Sequence, residues 1–295
     1  MTQSLSLRAG AGALLMALSL VLSGCFISPG KFTSELTLTG GDQFTFTYDG
    51  EIFFLALSKL AQMGAGSAPS FTPENCYDEE TFETRECTKA ELDEQRREWD
   101  QGAAERAKEA KRQAEQMASM MGGIDPSDPK AAEELTKLLL RQRGWEQAQS
   151  IGDGLFKVRY QISGTLAHDF MFPVIEGFPA TNPFVQTFAR KNGQIRINAP
   201  GFSAQGSDNM MGGMLGGMAP LIGMGAANDL GISDEEMPNI PQIDGTFTIR
   251  TTGKMTIRAN NTDNGPEATT TGEVLTWRIS PRTNQVPTAL IDLGR

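Results

Sequence analysis

The feature that most constrains the fold is a regular alternation of apolar and polar side chains near the N-terminus. The inward positions of this alternation are Phe32, Ser34, Leu36 and Leu38, followed after Gly40-Gly41-Asp42 by Phe44, Phe46 and Tyr48. Side chains alternate between the two faces of a β-strand, so this pattern is typical of two strands with one buried and one solvated face. Residues 31–48 are therefore predicted to form an antiparallel hairpin.

Similar alternations return after the middle of the chain. They cover residues 156–166, 184–189, 194–199, 246–250, 254–259, 275–279 and 289–293. Asn192-Gly193 is a favoured two-residue hairpin turn, and Thr252-Gly253 occupies the same place between the next two strands. Residues 51–63 have looser apolar spacing, which suits a helix. The sequence thus predicts an α+β fold, a mostly antiparallel β-sheet of about eight strands with an inserted helical hairpin.

A helical segment interrupts the strands in the middle of the chain. Thr88 and Glu91 have the spacing of a capping box, and a narrow apolar stripe follows on a charged surface. The stripe consists of Trp99, Ala103, Ala107, Ala110, Ala114, Met117 and Met121. Gly122-Gly123 ends this helix, and Asp128-Pro129 begins a second one that stops at Gly144. We interpret the pair as a packed decoration of the β domain; a partner surface of the coiled-coil kind is the alternative.

The cysteines divide into one near the N-terminus and one pair. Cys76 and Cys87 bracket a polar segment that is too short for an element of its own. They lack the Cys-x-x-Cys spacing and the nearby histidine of a redox or metal pair. In an oxidising compartment a disulfide is expected, and it contributes about 2–3 kcal/mol in the chain-entropy model. That amount holds the base of the insertion and not the whole fold.

Residues 1–24 have the composition of an export signal. Arg8 precedes an apolar block that is too short to span a bilayer, and Leu22-Ser23-Gly24 stands before Cys25. This resembles the lipobox of bacterial lipoproteins, in which the cysteine after the cleavage site carries a diacylglycerol and a further acyl chain. The resemblance implies that Cys25 is acylated and becomes the first residue of the mature protein, which gives a stable membrane anchor. An ordinary signal peptide with a chance cysteine is the alternative.

The residue after the cysteine predicts the membrane. Phe26 stands where enteric bacteria place an aspartate in lipoproteins that remain in the inner membrane. The expected localisation is therefore the outer membrane, lipid-anchored and facing the periplasm, with a Gram-positive surface as the alternative.

The charge of the chain limits its partners. Lys and Arg number 26 against 36 Asp and Glu, a net charge of −10. Such an acidic protein is a poor candidate for nucleic acid or for anionic headgroups held by charge. The predicted partners are the membrane through acylated Cys25, a lipid or hydrophobic ligand, or an envelope protein.

Catalytic motifs are not evident. His168 is the one histidine of the chain, and the adjacent Asp169 would point the other way in an extended segment. Gly-x-Ser-x-Gly, His-Glu-x-x-His and P-loop patterns do not occur. Residues 260–271 lack the acidic first and last positions of a calcium loop and are predicted to be a hairpin loop. The sequence therefore predicts a protein that is not an enzyme, with no catalytic residue, metal or cofactor.

One uncharged segment stands out as a candidate contact region. Residues 209–228 carry no charge and are rich in methionine and glycine. Its proposed contact residues are Met210, Met211, Met214, Leu215, Met218, Leu221, Ile222 and Met224. We interpret it as a loop that contacts lipid, because methionine adapts to irregular apolar partners and exposed apolar patches mark interaction sites. Two alternatives remain: a loop with no binding role, and Cu(I) binding by the thioethers.

These patterns divide the chain into four parts: the signal over 1–24, strands and a helix over 25–75, the helical insertion with its disulfide over 76–150, and the remaining β domain over 151–295 with a flexible loop at 203–240.

The plan resembles the LppM-type domain of bacterial lipoproteins. The resemblance lies in Cys25, the extended hairpin over 32–48 and the late strand Leu275-Thr276-Trp277-Arg278-Ile279. It implies an anchored α+β domain with lipids or cell-envelope glycolipids among its contacts. No catalytic residue carries over.

Overall fold

The computed structural model describes residues 27–40, 42–58, 71, 73–78, 84–126, 128–178, 183–190, 192–203 and 241–294. Their strands are β1 Ile27–Thr39, β2 Gln43–Phe54, β3 Cys76–Tyr77, β4 Thr84–Arg85, β5 Trp145–Gly152, β6 Leu155–Thr165, β7 Phe170–Phe172, β8 Val185–Ala189, β9 Gln194–Asn198, β10 Asp244–Arg250, β11 Thr256–Asn260, β12 Glu267–Ala268, β13 Glu273–Ile279 and β14 Thr288–Asp292. Their helices are α1 Lys89–Gln101, α2 Ala103–Met120 and α3 Ala131–Arg141, with 3-10 turns at Leu55–Leu57 and Pro200–Phe202.

The larger sheet has seven strands in the order β12-β13-β10-β1-β2-β6-β5. The predicted hairpin at its centre is confirmed, since β1 and β2 pair antiparallel with Leu36 opposite Phe46. Tyr48 lies opposite Tyr160 on β6, which continues the antiparallel arrangement. The buried side chains of β1 and β2 alternate with exposed or half-buried ones, so one face of this sheet is buried and the other is solvated.

The centre of the same sheet contains a parallel pair. β10 runs parallel to β1 with Leu36 opposite Ile249, and β13 pairs antiparallel on the other side of β10. The predicted hairpin at Thr252-Gly253 is therefore wrong, because β11 belongs to the second sheet. The backbone N–H groups of Thr251 and Gly253 donate to the carbonyl oxygens of Glu273 and Thr271, and this holds the crossing segment against the start of β13.

The second sheet has five strands in the order β11-β14-β9-β8-β7. The hairpin predicted at Asn192-Gly193 is confirmed, with Phe188 of β8 opposite Arg196 of β9. Gly193 has a φ of 74°, the left-handed conformation that this kind of turn needs. The hairpin loop predicted over residues 260–271 is wrong. This segment leads from the second sheet into β12, which forms a hairpin with β13 in the larger sheet.

An aromatic core joins the two sheets. The ring of Tyr48 lies 5.1 Å from that of Phe172, and Phe202 lies 4.2 Å from Phe32 and 5.3 Å from Phe247. All five side chains belong to one continuous cluster of buried residues. Burying each of them contributes about 1.5–3 kcal/mol, so the facing sheets are held mainly by apolar contact.

Two further predictions are corrected by this architecture. The described residues form three sheets, including the two-stranded β3–β4 ribbon, where a single sheet of about eight strands was expected. The helix predicted from residue 51 is wrong over residues 51–57, because β2 extends to Phe54 and Leu55–Leu57 form a 3-10 turn. A short apolar run such as Ile52-Phe53-Phe54 does not distinguish a fully buried strand end from a helix by periodicity alone.

The insertion departs from the predicted hairpin of two helices. The first helix is divided at Gly102 into α1 and α2, and none of the α1 side chains is buried. Met121 and Ile124, which follow α2, are buried in the main core. α3 packs on β5 through the buried Leu135 and Leu139. The last helix is therefore part of the β domain, while α1 is largely solvated.

Candidate functional site

The proposed anchor residue adjoins the folded domain. Cys25 lies outside the described residues, and Phe26 alone separates it from Ile27, where β1 begins. β1 is the fourth of the seven strands in its sheet. A lipid on Cys25 would consequently be attached at the middle of one end of the larger sheet.

That end of the sheet contains the start of β1, the end of β2 and the turn between β5 and β6. Ile27 pairs with Phe54, and Phe53 pairs with Leu155. The N–H of Phe54 donates to the carbonyl oxygen of Gly154 at 2.7 Å. Gly154 has a φ of 72°, and a Cβ there would lie 2.5 Å from the Phe54 carbonyl oxygen, so only glycine allows this close approach.

The side chains at this end are mostly uncharged. Residues 52–58 contain no Asp, Glu, Lys or Arg. Ile151, at the end of β5, exposes 50% of its surface. Asp153 lies in the adjoining turn with a φ of 49°. The β5–β6 turn was not predicted, although Asp153-Gly154 is a recognisable turn signal.

The candidate contact loop is reached from the same region of the fold. Its eight proposed contact residues lie outside the described residues, which resume on either side at Ser203 and Pro241. Phe202, next to Ser203, stacks on Phe32 of β1. A Cβ at Gly30 would lie 3.5 Å from the Cβ of Pro241. Both flanks of the segment therefore lie beside the first half of β1.

The cysteine pair lies at the base of the insertion. Cys76 and Cys87 form a disulfide with their Cα atoms 5.1 Å apart, as predicted. Cys76 starts β3, and Cys87 lies just before α1. The Nε2 of Gln95 on α1 lies 3.4 Å from the Glu74 carbonyl oxygen and donates to it. The disulfide thus fixes the start of α1 to the β3–β4 ribbon.

The capping box predicted at the start of α1 is confirmed. Thr88 Oγ1 accepts from the N–H of Glu91 at 3.4 Å, and Glu91 Oε2 accepts from the N–H of Thr88 at 2.7 Å. The guanidinium of Arg85 donates to both oxygens of the same carboxylate, at 2.9 and 2.6 Å. The Arg85 bonds, and next the Thr88 bonds, lower the pKa of Glu91 from 4.5 to about 2.

A small aromatic group covers the junction of α1 and α2. The Arg106 guanidinium lies 3.7 Å from the ring centroid of Trp99, and Phe71 meets the same ring edge-on at 6.2 Å. Arg96 lies 5.2 Å from the Phe71 ring centroid. Such cation–π contacts contribute about 0.5–1 kcal/mol each at exposed sites. They order the surface of the insertion without burying it.

A shallow cavity of about 290 Å³ opens on the outer face of the second sheet. Arg190, Arg196 and Leu290 are among the residues that line it. Arg196 Nε donates to Asn198 Oδ1 at 3.2 Å, and no carboxylate within the described part of the chain forms an ion pair with either arginine. Two guanidiniums beside an apolar side chain suit an anionic group on an apolar body. No sequence signal pointed to these arginines, because strand order alone brings β8, β9 and β14 together.

The titratable groups of the described residues do not assemble into a catalytic constellation. His168 is exposed in the segment between β6 and β7, and the adjacent Asp169 accepts from the N–H of Ala189 at 3.0 Å. Burial raises the pKa of the Tyr48 hydroxyl, which donates to the carbonyl oxygen of Glu51 at 2.7 Å. Among the described residues, no three His, Cys, Asp or Glu side chains cluster closely enough to hold a metal ion.

Within the described ranges, none of the helices has the length and apolar character needed to cross a membrane. Comparisons with protein-family models, with curated proteins and with solved structures find no match to this chain.

Proposed function

We propose that this chain is a lipid-anchored lipoprotein of the bacterial cell envelope with a non-catalytic binding role. Its anchor is acylated Cys25, its location is the periplasmic face of the outer membrane, and its resemblance to the LppM-type domain belongs to the same proposal. The observation that carries it is the Cys76–Cys87 disulfide. Disulfides persist in oxidising compartments outside the cytosol, which agrees with an export signal over residues 1–24.

Metabolic labelling with palmitate tests the anchor. The full chain, expressed in an enteric bacterium, should incorporate label and fractionate with the outer membrane, and Cys25→Ser should lose the label. Phe26→Asp is the matched control: it should keep the label and move to the inner membrane. A wild-type chain without label, or a labelled Cys25→Ser chain, would refute the acylation of Cys25.

The proposed ligand is a lipid or another hydrophobic molecule, contacted by residues 210–224. The position of the flanks supports this, since Phe202 and Pro241 lie beside the half of β1 that is nearest to Cys25. The segment thus starts and ends on the side of the domain where the anchor would attach. Methionine side chains fill irregular apolar surroundings, as a lipid contact requires.

Flotation with phosphatidylcholine vesicles tests the lipid contact. The mature chain with Cys25→Ser should float without acyl chains, and the same chain with its eight proposed contact residues changed to serine should not. Residues 207–238 can also be deleted to remove the segment entirely. If neither the mature chain nor its variants float, the lipid contact is refuted and the anchor remains the membrane attachment.

A second candidate role is a protein-interaction scaffold of the envelope that uses the helical insertion. The solvated surface of α1, where no side chain is buried, favours it. Replacing residues 89–120 by a short Gly-Ser linker should abolish crosslinking to an envelope partner and leave flotation unchanged. If crosslinking persists without the helices, this role is excluded.

A further inference from the structure

We propose that the anchored protein stands end-on against the bilayer, with the end of the larger sheet where β1 begins as its membrane-facing surface. The contact consists of Ile27 at the start of β1, Leu55 at the start of the 3-10 turn and the β5–β6 turn with Ile151. This inference rests on the proposed acylation of Cys25.

The first argument is the length of the chain between lipid and sheet. Cys25 is two residues from Ile27, and two residues of extended chain span at most about 7 Å. β1 has 13 residues, so its far end lies about 40 Å from its start. The lipid therefore holds one end of the sheet at the bilayer and keeps the other end away from it.

The second argument is the position of β1 within the sheet. Three strands lie on one side of β1, and on the other side β10 and β13 form the sheet except at its far end, where the short β12 is added. Strands are spaced about 4.8 Å apart, which places even the nearer edge about 10 Å away. The two residues that join the lipid to β1 span about 7 Å, which is too short to bring an edge of the sheet to the bilayer. The sheet therefore cannot lie on the membrane by either edge.

The third argument excludes an approach by the faces of the sheet. The inner face is covered by the second sheet through the aromatic core. The outer face carries the ion pairs Arg250–Glu35 at 2.9 Å and Arg159–Asp49 at 3.1 Å. Pressing these charges against lipid would remove their water without supplying new partners. The sheet end thus remains the surface that can face the bilayer.

The chemistry of the sheet end agrees with a neutral lipid surface. Residues 52–58 are uncharged, and all of them except the half-buried Leu55 are buried. The apolar contact is therefore supplied by Ile27 and Leu55, which are half-buried, and by Ile151, which is half exposed. The carboxylate of Asp153, in the adjoining turn, would lie among the lipid headgroups, where it stays hydrated. The net charge of −10 argues against attraction to an anionic surface.

A single-cysteine labelling experiment tests the orientation. With Cys25 acylated and Cys76 bonded to Cys87, an introduced cysteine is the one free thiol of the lipidated protein. Ile151→Cys marks the proposed membrane end. Thr270→Cys is the matched control, because Thr270 is exposed and lies just before β13. The neighbouring Thr252 donates from its Oγ1 to the carbonyl oxygen of Leu38, so position 270 marks the far end of β1. Both are labelled with an environment-sensitive fluorophore in phosphatidylcholine vesicles that contain a headgroup nitroxide lipid.

The label at position 151 should lose more than half of its fluorescence and shift to the blue, while the label at position 270 should be unchanged. A Gly-Ser spacer inserted between Phe26 and Ile27 should remove this difference without affecting flotation. The end-on orientation would be overturned by equal quenching at both positions or by stronger quenching at 270. It would also be overturned if neither position were quenched in a protein that floats, or if the difference survived the spacer. Loss of palmitate labelling would instead refute the anchor itself, so the two failures are distinguishable.

Discussion

Phe32 and Phe202 stack with their ring centroids 4.2 Å apart and their planes inclined by 21°. Phe32 lies on β1, and Phe202 ends the 3-10 turn that precedes the candidate contact loop. The contact thus fixes the start of that loop beside the strand that follows the proposed lipidation site. This proximity supports the proposed lipid contact.

Phe202→Ala should destabilise the domain by about 3–5 kcal/mol, because it removes a fully buried ring that also contacts Phe184 and Phe247. Urea unfolding followed by tryptophan fluorescence measures the loss. Phe188→Ala is the matched control, since Phe188 is 36% exposed on the outer face of the second sheet, and it should cost less than about 1 kcal/mol. Similar losses in both variants would contradict the described core.

Glu91→Gln should weaken the start of α1 at neutral pH. The carboxyl pKa is lowered in the folded protein, so its stabilising contribution is present above the ordinary value of 4.5 and is lost as the pH falls towards about 2. Far-UV circular dichroism should therefore show lower helix content for Glu91→Gln at pH 7, and the difference from wild type should disappear near pH 2. Glu94→Gln, an exposed neighbour on the same helix, should match wild type at every pH.

Cys87→Ser should loosen the insertion while leaving the main core folded. Removing the cross-link costs about 2–3 kcal/mol of local stability in the chain-entropy model. Limited trypsin digestion should cleave the variant faster at Arg96, Arg97 and Arg106. Fragments from the β domain should form at the wild-type rate. Unchanged cleavage at those arginines would show that the disulfide does not support α1.

Gly154→Ala should destabilise the β5–β6 turn more than Gly152→Ala. Both glycines have positive φ, 72° and 97°, so alanine is strained at either position by about 1–2 kcal/mol. A Cβ at Gly154 would also lie 2.5 Å from the carbonyl oxygen of Phe54, whereas one at Gly152 meets nothing within 4 Å. The difference in unfolding free energy between the two variants measures this contact. Equal effects would mean that backbone conformation alone requires glycine.

Elements with a local cause could be predicted from the sequence. The hairpins at Gly40 and at Asn192-Gly193 follow from alternation and turn chemistry, and the Thr88 capping box follows from a spacing of three residues. The disulfide was predictable because Cys76 and Cys87 are the one pair left once Cys25 is assigned to the lipid. Each of these depends on residues that are close in the chain.

The errors have a common physical origin. The Thr252-Gly253 turn has strands on both sides, but the bonds of Thr251 and Gly253 to β13 separate β10 from β11. The predicted helix from residue 51 failed because Ile52 and Phe54 are buried in a strand whose neighbours, β1 and β6, cover both of its edges. Local pattern does not specify which distant strand supplies the hydrogen bonds.

The sequence by itself determined the local elements, the disulfide pair, the acidic charge and the lipobox-like pattern at Cys25, because these depend on residue type and short spacing. Only the tertiary structure decided that two sheets share one aromatic core and that β1 and β10 run parallel at the centre of the larger one. The parallel pair brings together strands from opposite ends of the chain, and its register is selected by burial of Leu36 and Ile249 against the same core. That long-range packing places the flanks of the candidate loop and the start of β1 on one side of the domain.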